Sequence, residues 1–336
     1  MHCVRNSVIV LFISLISSIS YAQESKELYE TARTYMRQGD FANASLVLTR
    51  ALQQDPQNID ILNDLALDYF FQKEYNKALE VIKPVTDKNI ANDQSFQILG
   101  NVYKALRQVK DAEKIYKKGI KKFPASGPLY NDYGETLWAQ GDVNAIKQWE
   151  RGIEKDPQFS GNYYNSARYY YFSTDKTWSI IYGEIFLNLE TFTSRTSEMK
   201  GIVLESYKKL FGDVTSLNST HDKNSFEASF LENMIKQSPI ATQGITPESL
   251  TMIRTRFILD WLKINSIKYH FHLFDFHKQL LENGLFDAYN QWIFGVSQNL
   301  TAYQNWTLTH PEEYADFLKF QKNRMFKMPL GEYFHK

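Results

Sequence analysis

Residues 62–82 read LNDLALDYFFQKEYNKALEVI, and their spacing describes two helices in a row. The first half places apolar or small side chains at i, i+3, i+4 and i+7, which is the spacing of one buried helix face. These side chains are Leu62, Leu65, Ala66 and Tyr69. The second half follows the spacing i, i+4 and i+7 with Ala78, Ile82 and the later Val85. The stretch therefore predicts a helical hairpin.

The same pattern recurs every 34 residues in both directions along the chain. The tyrosine position reads Tyr35, Tyr69, Tyr103 and Leu137. Small residues recur on the first helix at Ala32, Ala66, Gly100 and Gly134, and on the second helix at Ala44, Ala78, Ala112 and Ala145. Because paired helices approach to roughly 8–10 Å, these small residues predict close helix crossings. Pro56, Pro124 and Pro157 predict boundaries between units, since proline does not continue a helix.

This pattern resembles the tetratricopeptide repeat (TPR), in which 34-residue helical hairpins stack on one another. The resemblance covers about residues 25–159 in four units, and the fourth unit is one residue shorter in its turn. It implies an all-α fold, a TPR α-solenoid, and a role in binding rather than in catalysis. Residues 160–192 continue the pattern in weaker form with Tyr163, Ala167 and Tyr170, which indicates a degenerate fifth hairpin.

From about residue 193 the period is lost, but the apolar spacing stays helical and predicts a C-terminal helical domain of residues 193–336. Thr246-Pro247 predicts a helix start, and Thr309 and Glu312 have the spacing of a capping box. The sequence contains no phosphate-binding glycine loop, no His-Glu-x-x-His and no Gly-x-Ser-x-Gly. We therefore predict no catalytic residue.

Residues 1–22 have the composition of a secretory signal peptide. Arg5 precedes an apolar run, Val8–Ile16, and the small residues Ser20 and Ala22 fit a cleavage site before residue 23. A retained anchor is the less favoured alternative, because a membrane-spanning helix needs about 20 apolar residues. We expect an exported bacterial protein, periplasmic or extracellular, with the TPR solenoid in residues 23–192. Cys3 is the only cysteine and would leave with the signal, so no disulfide is expected.

The charge balance gives no sign of a nucleic-acid partner. Lysine and arginine number 38, and aspartate and glutamate also number 38. Such a chain has no net field that would draw it to nucleic acid or to an anionic membrane. No integral membrane span is expected in the mature chain, and the oligomeric state is left open.

The TPR resemblance also implies where a ligand would bind. In TPR arrays the first helix of each hairpin lines the concave surface, beside the packing face. In this chain the implied groove residues are Tyr29, Arg33, Asn63, Phe70, Phe71, Gln97, Asn101, Lys104, Asn131, Trp138 and Arg168. Amides there would suit the backbone of an extended or helical peptide, and aromatic rings its side chains. The alternative is a solvated face with incidental aromatics. On either interpretation, Asn63→Ala is expected to change stability little.

Two further clusters have residue types that could form a site, but the sequence favours a structural explanation for each. His270, His272, Asp275 and His277 are residue types that bind zinc or iron, but no regular helix or strand gathers all four on one face, so no metal is predicted. The tail, with Lys319, Lys322, Arg324 and Lys327 among aromatic residues, could dock on a membrane or partner, but a solvated helix face is the commoner explanation.

The sequence thus favours an exported TPR scaffold or adaptor that binds a protein or peptide in its groove, within a cell-envelope assembly and with no cofactor. The main alternative is an envelope hydrolase or carbohydrate-processing enzyme whose site lies in the C-terminal helical domain. A weaker third possibility is a solute-binding protein that uses the aromatic cluster Tyr163–Tyr171 as a pocket.

Overall fold

The computed structural model describes residues 24–88, 90–212 and 224–335, and all regular structure in these ranges is helical. The predicted signal peptide, residues 1–22, lies outside them. The chain divides into two compact units, the first ending at Gln140 and the second beginning at Gly141. The domain boundary expected at residues 192–193 stays a prediction.

The first unit is a series of helical hairpins. Its helices are α1 (residues 24–37), α2 (Phe41–Gln54), α3 (Ile59–Phe71), α4 (Tyr75–Asp87), α5 (Asp93–Ala105), α6 (Val109–Lys122) and α7 (Gly127–Trp138). Helices α3 and α4, and α5 and α6, pack against each other as hairpin partners, and α4 packs in turn on α5. This arrangement confirms the predicted solenoid of helical hairpins.

The second unit starts with the repeat-like helices α8 (Ala145–Lys155), α9 (Ser160–Phe172) and α10 (Thr177–Leu189). It continues with α11 (Ser194–Gly212), α12 (Phe226–Ile235), α13 (Ser238–Ala241), α14 (Pro247–Ile264), α15 (His272–Glu282) and α16 (Phe286–Asn290). A π-helical turn, Gln291–Gly295, joins α16 to α17 (Val296–Gln298), and α18 (Leu300–Thr309) and α19 (Pro311–Asn323) follow. Helices α9 and α10 pack against each other, which confirms the predicted fifth hairpin.

The small residues of the repeat lie where the sequence places them. Ala32, Ala66 and Ala78 are completely buried, and so are Ala112 and Ala145. Space at these crossings is tight: a Cβ built on Gly100 of α5 would lie 2.3 Å from the Tyr116 ring of α6. The stripe of small side chains therefore sets how closely the paired helices approach.

The turn inside each hairpin uses a left-handed residue at the same repeat position. Gly39 and Gly141 adopt φ of 75° there, and Lys73 and Arg107 adopt φ of 63° and 60°. A lysine or arginine in this conformation is strained because its Cβ approaches the following carbonyl. Two repeats therefore keep the turn with non-glycine residues that the sequence pattern does not mark as turn residues.

The two helix starts expected in the C-terminal region have different outcomes. Thr246 caps α14 by accepting a hydrogen bond from the Ser249 backbone N–H at 3.2 Å, which confirms that prediction. The capping box expected at Thr309 is wrong. Helix α19 begins after His310, and the Thr309 hydroxyl instead donates back to the Asn305 carbonyl of α18 at 3.0 Å. Thr309 is the last residue of α18, and only His310 separates it from α19. Its hydroxyl therefore bonds within α18 and does not cap α19.

The chain end, residues 324–335, follows α19 without regular secondary structure, turns at Leu330-Gly331 and packs on other helices of the second unit. Phe334 stacks on Phe226 with 4.9 Å between ring centroids. Glu332 accepts a hydrogen bond of 2.6 Å from the His272 backbone N–H at the start of α15. These contacts hold His335 against the ring of Trp178, with a centroid distance of 4.9 Å. Within the described ranges, no helix has both the length and the hydrophobicity to cross a membrane.

Candidate functional site

The first helices of the first unit, α1, α3, α5 and α7, are linked to one another by side-chain hydrogen bonds. We call the surface they present the first-helix face. It carries the predicted groove residues Tyr29, Arg33, Asn63, Phe70, Phe71, Gln97, Asn101, Lys104, Asn131 and Trp138. The structure divides these residues into two polar clusters and a group of aromatic side chains.

The first polar cluster joins α1 to α3 through Asp64. The Tyr29 hydroxyl donates to Asp64 Oδ2 at 2.8 Å, and the Arg33 guanidinium lies 5.7 Å from the centroid of the Tyr29 ring. Burial raises the pKa of Asp64 above its ordinary value, although the Tyr29 hydroxyl and the Arg33 charge oppose the shift. Burial and the Asp64 carboxylate likewise raise the pKa of Tyr29. Tyr29 is thus a contact between repeats, and Arg33 remains exposed beside it.

The second polar cluster joins α5 to α7 through Asp132. Asn101 Nδ2 donates to Asp132 Oδ2 at 3.0 Å, and Asn131 Nδ2 donates to Asp132 Oδ1 at 3.2 Å. Burial raises the pKa of Asp132, while the positive charge of Lys104 and hydrogen bonds from Asn131 and Gln97 act to lower it. Amide donors therefore surround a carboxylate that is removed from water.

Two of the predicted amides, Asn63 and Asn101, join adjacent repeats, and a third, Asn131, bonds within its own helix. Asn63 is completely buried: its Nδ2 donates to Asn92 Oδ1 at 3.0 Å, and its Oδ1 accepts from the Ser95 hydroxyl at 2.8 Å. Asn131 is also buried, and Asn101 accepts from the Tyr116 hydroxyl at 2.9 Å. The placement of Asn63 and Asn131 on an exposed ligand face is therefore wrong. The Asn63 amide bonds to polar groups of the next repeat and so stabilises the stacking of repeats, whereas the Asn131 amide bonds to Asp132 and Glu135 within α7.

The expectation that Asn63→Ala changes stability little is corrected accordingly. We expect this substitution to lower the free energy of unfolding by about 1–3 kcal/mol, because it removes two buried hydrogen bonds, those to Asn92 and Ser95. Urea unfolding followed by circular dichroism measures the change. Gln94→Ala, at an exposed position on α5, is the matched control. A loss below about 0.5 kcal/mol, as at ordinary surface sites, would contradict the buried network.

Aromatic side chains and the basic residues Arg33 and Lys104 remain accessible on the first-helix face. Phe71 is 49% exposed and stacks on Phe41 with 5.1 Å between ring centroids, and Phe70 packs beside it. Trp138, at the end of α7, is 43% exposed. Lys104 Nζ lies 3.8 Å from a Glu135 carboxylate oxygen. The most exposed of the predicted groove residues are thus aromatic or basic, and the amides of Gln97 and Asn101 are partly buried.

Arg168, the remaining predicted groove residue, lies on α9 in the second unit. Its Nε is 3.2 Å from Glu198 Oε1 of α11, and its guanidinium lies 5.3 Å from the centroid of the Tyr164 ring. The Tyr164 hydroxyl donates to the same Glu198 carboxylate at 2.5 Å. This part of α9 therefore contacts α11.

The sequence interpretation missed the two carboxylates around which the polar clusters form. Asp64 and Asp132 lie two repeats apart, and each directly follows an asparagine of the groove set, Asn63 and Asn131. This recurring Asn-Asp pair is the sequence feature that could have indicated the two polar clusters. The pair does not stand out in the sequence, because asparagine and aspartate are each common on exposed helix surfaces.

A cluster of charged side chains lies in the interior of the second unit. Arg254 pairs with the Glu184 carboxylate and also donates to Asn290. His277 Nε2 lies 2.7 Å from Glu184 Oε1, and the Tyr289 hydroxyl donates to the same oxygen at 2.9 Å. Burial acts to raise the pKa of Glu184, but the positive charge of Arg254 and the contact with His277 outweigh it and hold that pKa at about 2. All these side chains are buried, so the cluster is an internal ion pair with satisfied hydrogen bonds.

The histidines considered for a metal site have separate partners. His270 is exposed and lies between Glu332 and Asp275, at 2.8 and 3.0 Å, and these carboxylates raise its pKa. His277 is buried beside Glu184, His272 packs on the Phe326 ring, and burial lowers the pKa of His277. Among the described residues, no group of three or more His, Cys, Asp or Glu side chains could hold a metal ion.

A second buried carboxyl lies where the chain end packs on α8, α9 and α10. The Tyr170 hydroxyl donates to Glu150 Oε1 at 2.7 Å, and His335 Nδ1 lies 3.1 Å from the same oxygen. Burial raises the pKa of Glu150 to about 7, against which the hydrogen bonds from Tyr170 and Tyr182 act. Burial also lowers the pKa of His335, against which the Asp175 charge acts.

This carboxyl gives stability a defined pH dependence. Because the folded pKa of Glu150 is raised, its contribution is fully present below its ordinary pKa near 4.5 and is lost as pH rises through about 7. We expect Glu150→Gln to be about 1–2 kcal/mol more stable than the natural chain at pH 8 and nearly equal to it at pH 4.5. Thermal unfolding at both pH values measures the difference. Glu154→Gln, exposed on the same helix, should change little, and an equal gain at both pH values would exclude buried charge as the cause.

Comparison with known proteins concerns mainly the repeat region. A family model described as anaphase-promoting complex, cyclosome, subunit 3, matches residues 37–119, from the end of α1 into α6. No curated protein matches the chain.

Several solved structures are similar to the chain at low identity. A thermophilic TPR protein of Thermus thermophilus is 17% identical with a TM-score of 0.47, over 54% of this chain and 99% of that one. PilW, described as a widely conserved type IV pilus biogenesis factor, is 18% identical with a TM-score of 0.47, over 63% and 99%. A TPR protein of Parabacteroides merdae ATCC 43184 is 16% identical with a TM-score of 0.42, over 77% and 98%. At these identities the likeness concerns the helical-repeat fold alone.

Proposed function

We propose that the chain is a protein-binding scaffold that holds a partner on the first-helix face of its first unit. The observation that carries the proposal is the exposure of large aromatic side chains on this face. Phe71 and Trp138 are about half exposed, and Phe70 lies half-buried beside Phe71. Tryptophan and other large aromatic residues are frequent anchors at protein interfaces, where burying their rings supplies much of the binding energy.

The rigidity of the face supports the same proposal. The Tyr29–Asp64, Asn63–Ser95 and Asn101–Asp132 hydrogen bonds tie each first helix to the next. Because these bonds fix the helices that carry Phe70, Phe71 and Trp138, the helices do not have to be ordered when a partner arrives, so binding costs less conformational entropy. The partner suited to this face is a protein segment with apolar side chains that cover Phe70, Phe71 and Trp138.

The test is recovery of a specific partner and its loss on removing the aromatic rings. The mature chain is immobilised and exposed to envelope extract, and a protein retained by it is purified for affinity measurement. We expect Phe71→Ala/Trp138→Ala to weaken the affinity at least about tenfold. Leu46→Ala, at an exposed apolar position on the second helix α2, is the matched control and should bind like the natural chain. Equal binding by both variants would show that the first-helix face is not the site.

We also propose that the protein is exported and acts in the cell envelope. The support is the composition of residues 1–22, with Arg5 ahead of an apolar run and small residues before residue 23. Fractionation of cells followed by N-terminal sequencing tests it. The expected result is a mature chain beginning at Gln23 in the periplasm or medium, whereas an unprocessed chain in the cytoplasm would contradict it.

A further inference from the structure

Helix α14 of the second unit carries an exposed stripe in which apolar and basic side chains alternate. Met252, Arg256, Leu259 and Lys263 are spaced i, i+4, i+7 and i+11, which places them along one side of the helix. All four are exposed, and the opposite side of α14 is buried through residues such as Phe257 and Trp261. We call these four residues, with Ile264, Ile267 and Lys268 at the following turn, the α14 stripe.

The apolar members of the α14 stripe protrude from the protein. Leu259 is 59% exposed, and Ile267 in the turn after the helix is 98% exposed. Met252 and Ile264 are exposed to a similar degree as Leu259. Single exposed aliphatic residues are common, but four along one helix and the turn after it are typical of a surface that contacts a partner.

The basic members of the stripe have little acidic compensation. Arg256 and Lys263 form no ion pair with any acidic side chain in the described ranges. Lys268 donates to the Asn224 backbone carbonyl at 3.0 Å, which leaves its charge unbalanced. The only acidic residues of α14 are Glu248, which accepts from Gln291 at 2.9 Å, and the half-buried Asp260. The stripe is therefore locally positive although the whole chain is neutral.

The arrangement favours a lipid surface over a protein partner. Lysine is depleted at protein interfaces, whereas arginine and methionine are enriched there, so lysine is the residue type that separates the two kinds of partner. In the α14 stripe Lys263 lies between the exposed aliphatic residues Leu259 and Ile264. At a bilayer surface this mixture is favourable, because aliphatic side chains enter the acyl boundary while basic groups reach the phosphates on long stems.

We propose that the α14 stripe docks the second unit on an anionic phospholipid surface. Leu259 and Ile267 enter the interface, and Arg256, Lys263 and Lys268 contact lipid phosphates. The contact is peripheral, with the helix lying on the bilayer. It is independent of the first-helix face, which belongs to the other unit.

Vesicle co-sedimentation with the full mature chain tests the proposal. Phosphatidylcholine vesicles are compared with vesicles that also contain phosphatidylglycerol. The chain is expected to bind the anionic vesicles only, and Arg256→Gln/Lys263→Gln is expected to weaken that binding about thirtyfold. Leu259→Ser/Ile267→Ser is expected to weaken it at least about tenfold. The matched control, Leu300→Ser/Leu308→Ser, removes exposed leucines from the uncharged helix α18 and should bind normally.

Three results would overturn the proposal. The first is failure of the natural chain to bind anionic vesicles. The second is an equal loss in the Leu300→Ser/Leu308→Ser control, which would indicate non-specific adhesion. The third is normal vesicle binding by Leu259→Ser/Ile267→Ser, because the apolar side chains then stay outside the bilayer and the stripe fits an acidic protein instead. Circular dichroism of each variant separates loss of binding from loss of fold.

Discussion

Replacing Arg254 by Met is expected to lower the free energy of unfolding by about 3–5 kcal/mol. Arg254 and its partner Glu184 are both almost completely buried. Methionine removes the positive charge and leaves the Glu184 carboxylate in an apolar interior with only His277 and Tyr289 as hydrogen-bond partners. An uncompensated buried charge is far more costly than the intact pair. Urea unfolding followed by circular dichroism measures the loss.

A double variant shows whether the loss of stability comes from the unpaired Glu184 carboxylate. Glu184→Gln removes that charge, so Arg254→Met/Glu184→Gln should lose less stability than the two single changes combined. Arg256→Met, two residues along the same helix but exposed, is the matched control and should stay within about 0.5 kcal/mol of the natural chain. Strict additivity of the two single changes would mean that the charges are not coupled.

The second large effect is expected from Gly100→Ala. A Cβ at this position would lie 2.3 Å from the ring of Tyr116, and that ring is completely buried with its hydroxyl bonded to Asn101. The ring cannot move aside without breaking this bond and disturbing the crossing of α5 and α6. We expect a loss of about 3 kcal/mol, at the upper end of the usual range for overpacking. Thermal unfolding measures it.

Gly201→Ala is the control for Gly100→Ala and should have the opposite sign. Gly201 also lies inside a helix, α11, but a Cβ there would have no neighbour within 4 Å. Alanine restricts the unfolded chain and favours the helix, so a gain of up to about 1 kcal/mol is expected. A gain from Gly100→Ala as well would show that the α5–α6 crossing is looser than the structure has it.

Most of the fold could be predicted because its determinants are local and repeated. The small residues Ala66 and Ala112 mark helix crossings in the sequence and are completely buried in the structure. Each hairpin forms from residues within one repeat, so spacing along the chain carries the information. The turns show the limit of this reasoning. Lys73 and Arg107 adopt the left-handed conformation of Gly39, although lysine and arginine are not residue types that predict it.

The candidate site could be predicted only in part. Phe71 and Trp138 lie exposed on the first-helix face where they were placed, and their role in binding stays a prediction. Asn63 was placed on the same face and is buried. Its position beside the packing stripe could be assigned from the repeat, but its exposure depends on how closely the next repeat approaches. Its hydrogen-bond partners Ser95 and Asn92 belong to that next repeat, 32 and 29 residues along the chain.

The sequence by itself determined that residues 25–192 are a series of helical hairpins, since a 34-residue period of small and large apolar side chains is the pattern of hairpins that stack on one another. Only the tertiary structure decided which polar groups are buried together. Glu184 meets Arg254 and His277 across separations of 70 and 93 residues, on three different helices. The spacing of residues within one helix does not predict these contacts. The partner of a buried charge is set by the packing of the helices that carry it, and this packing exists only in the folded chain.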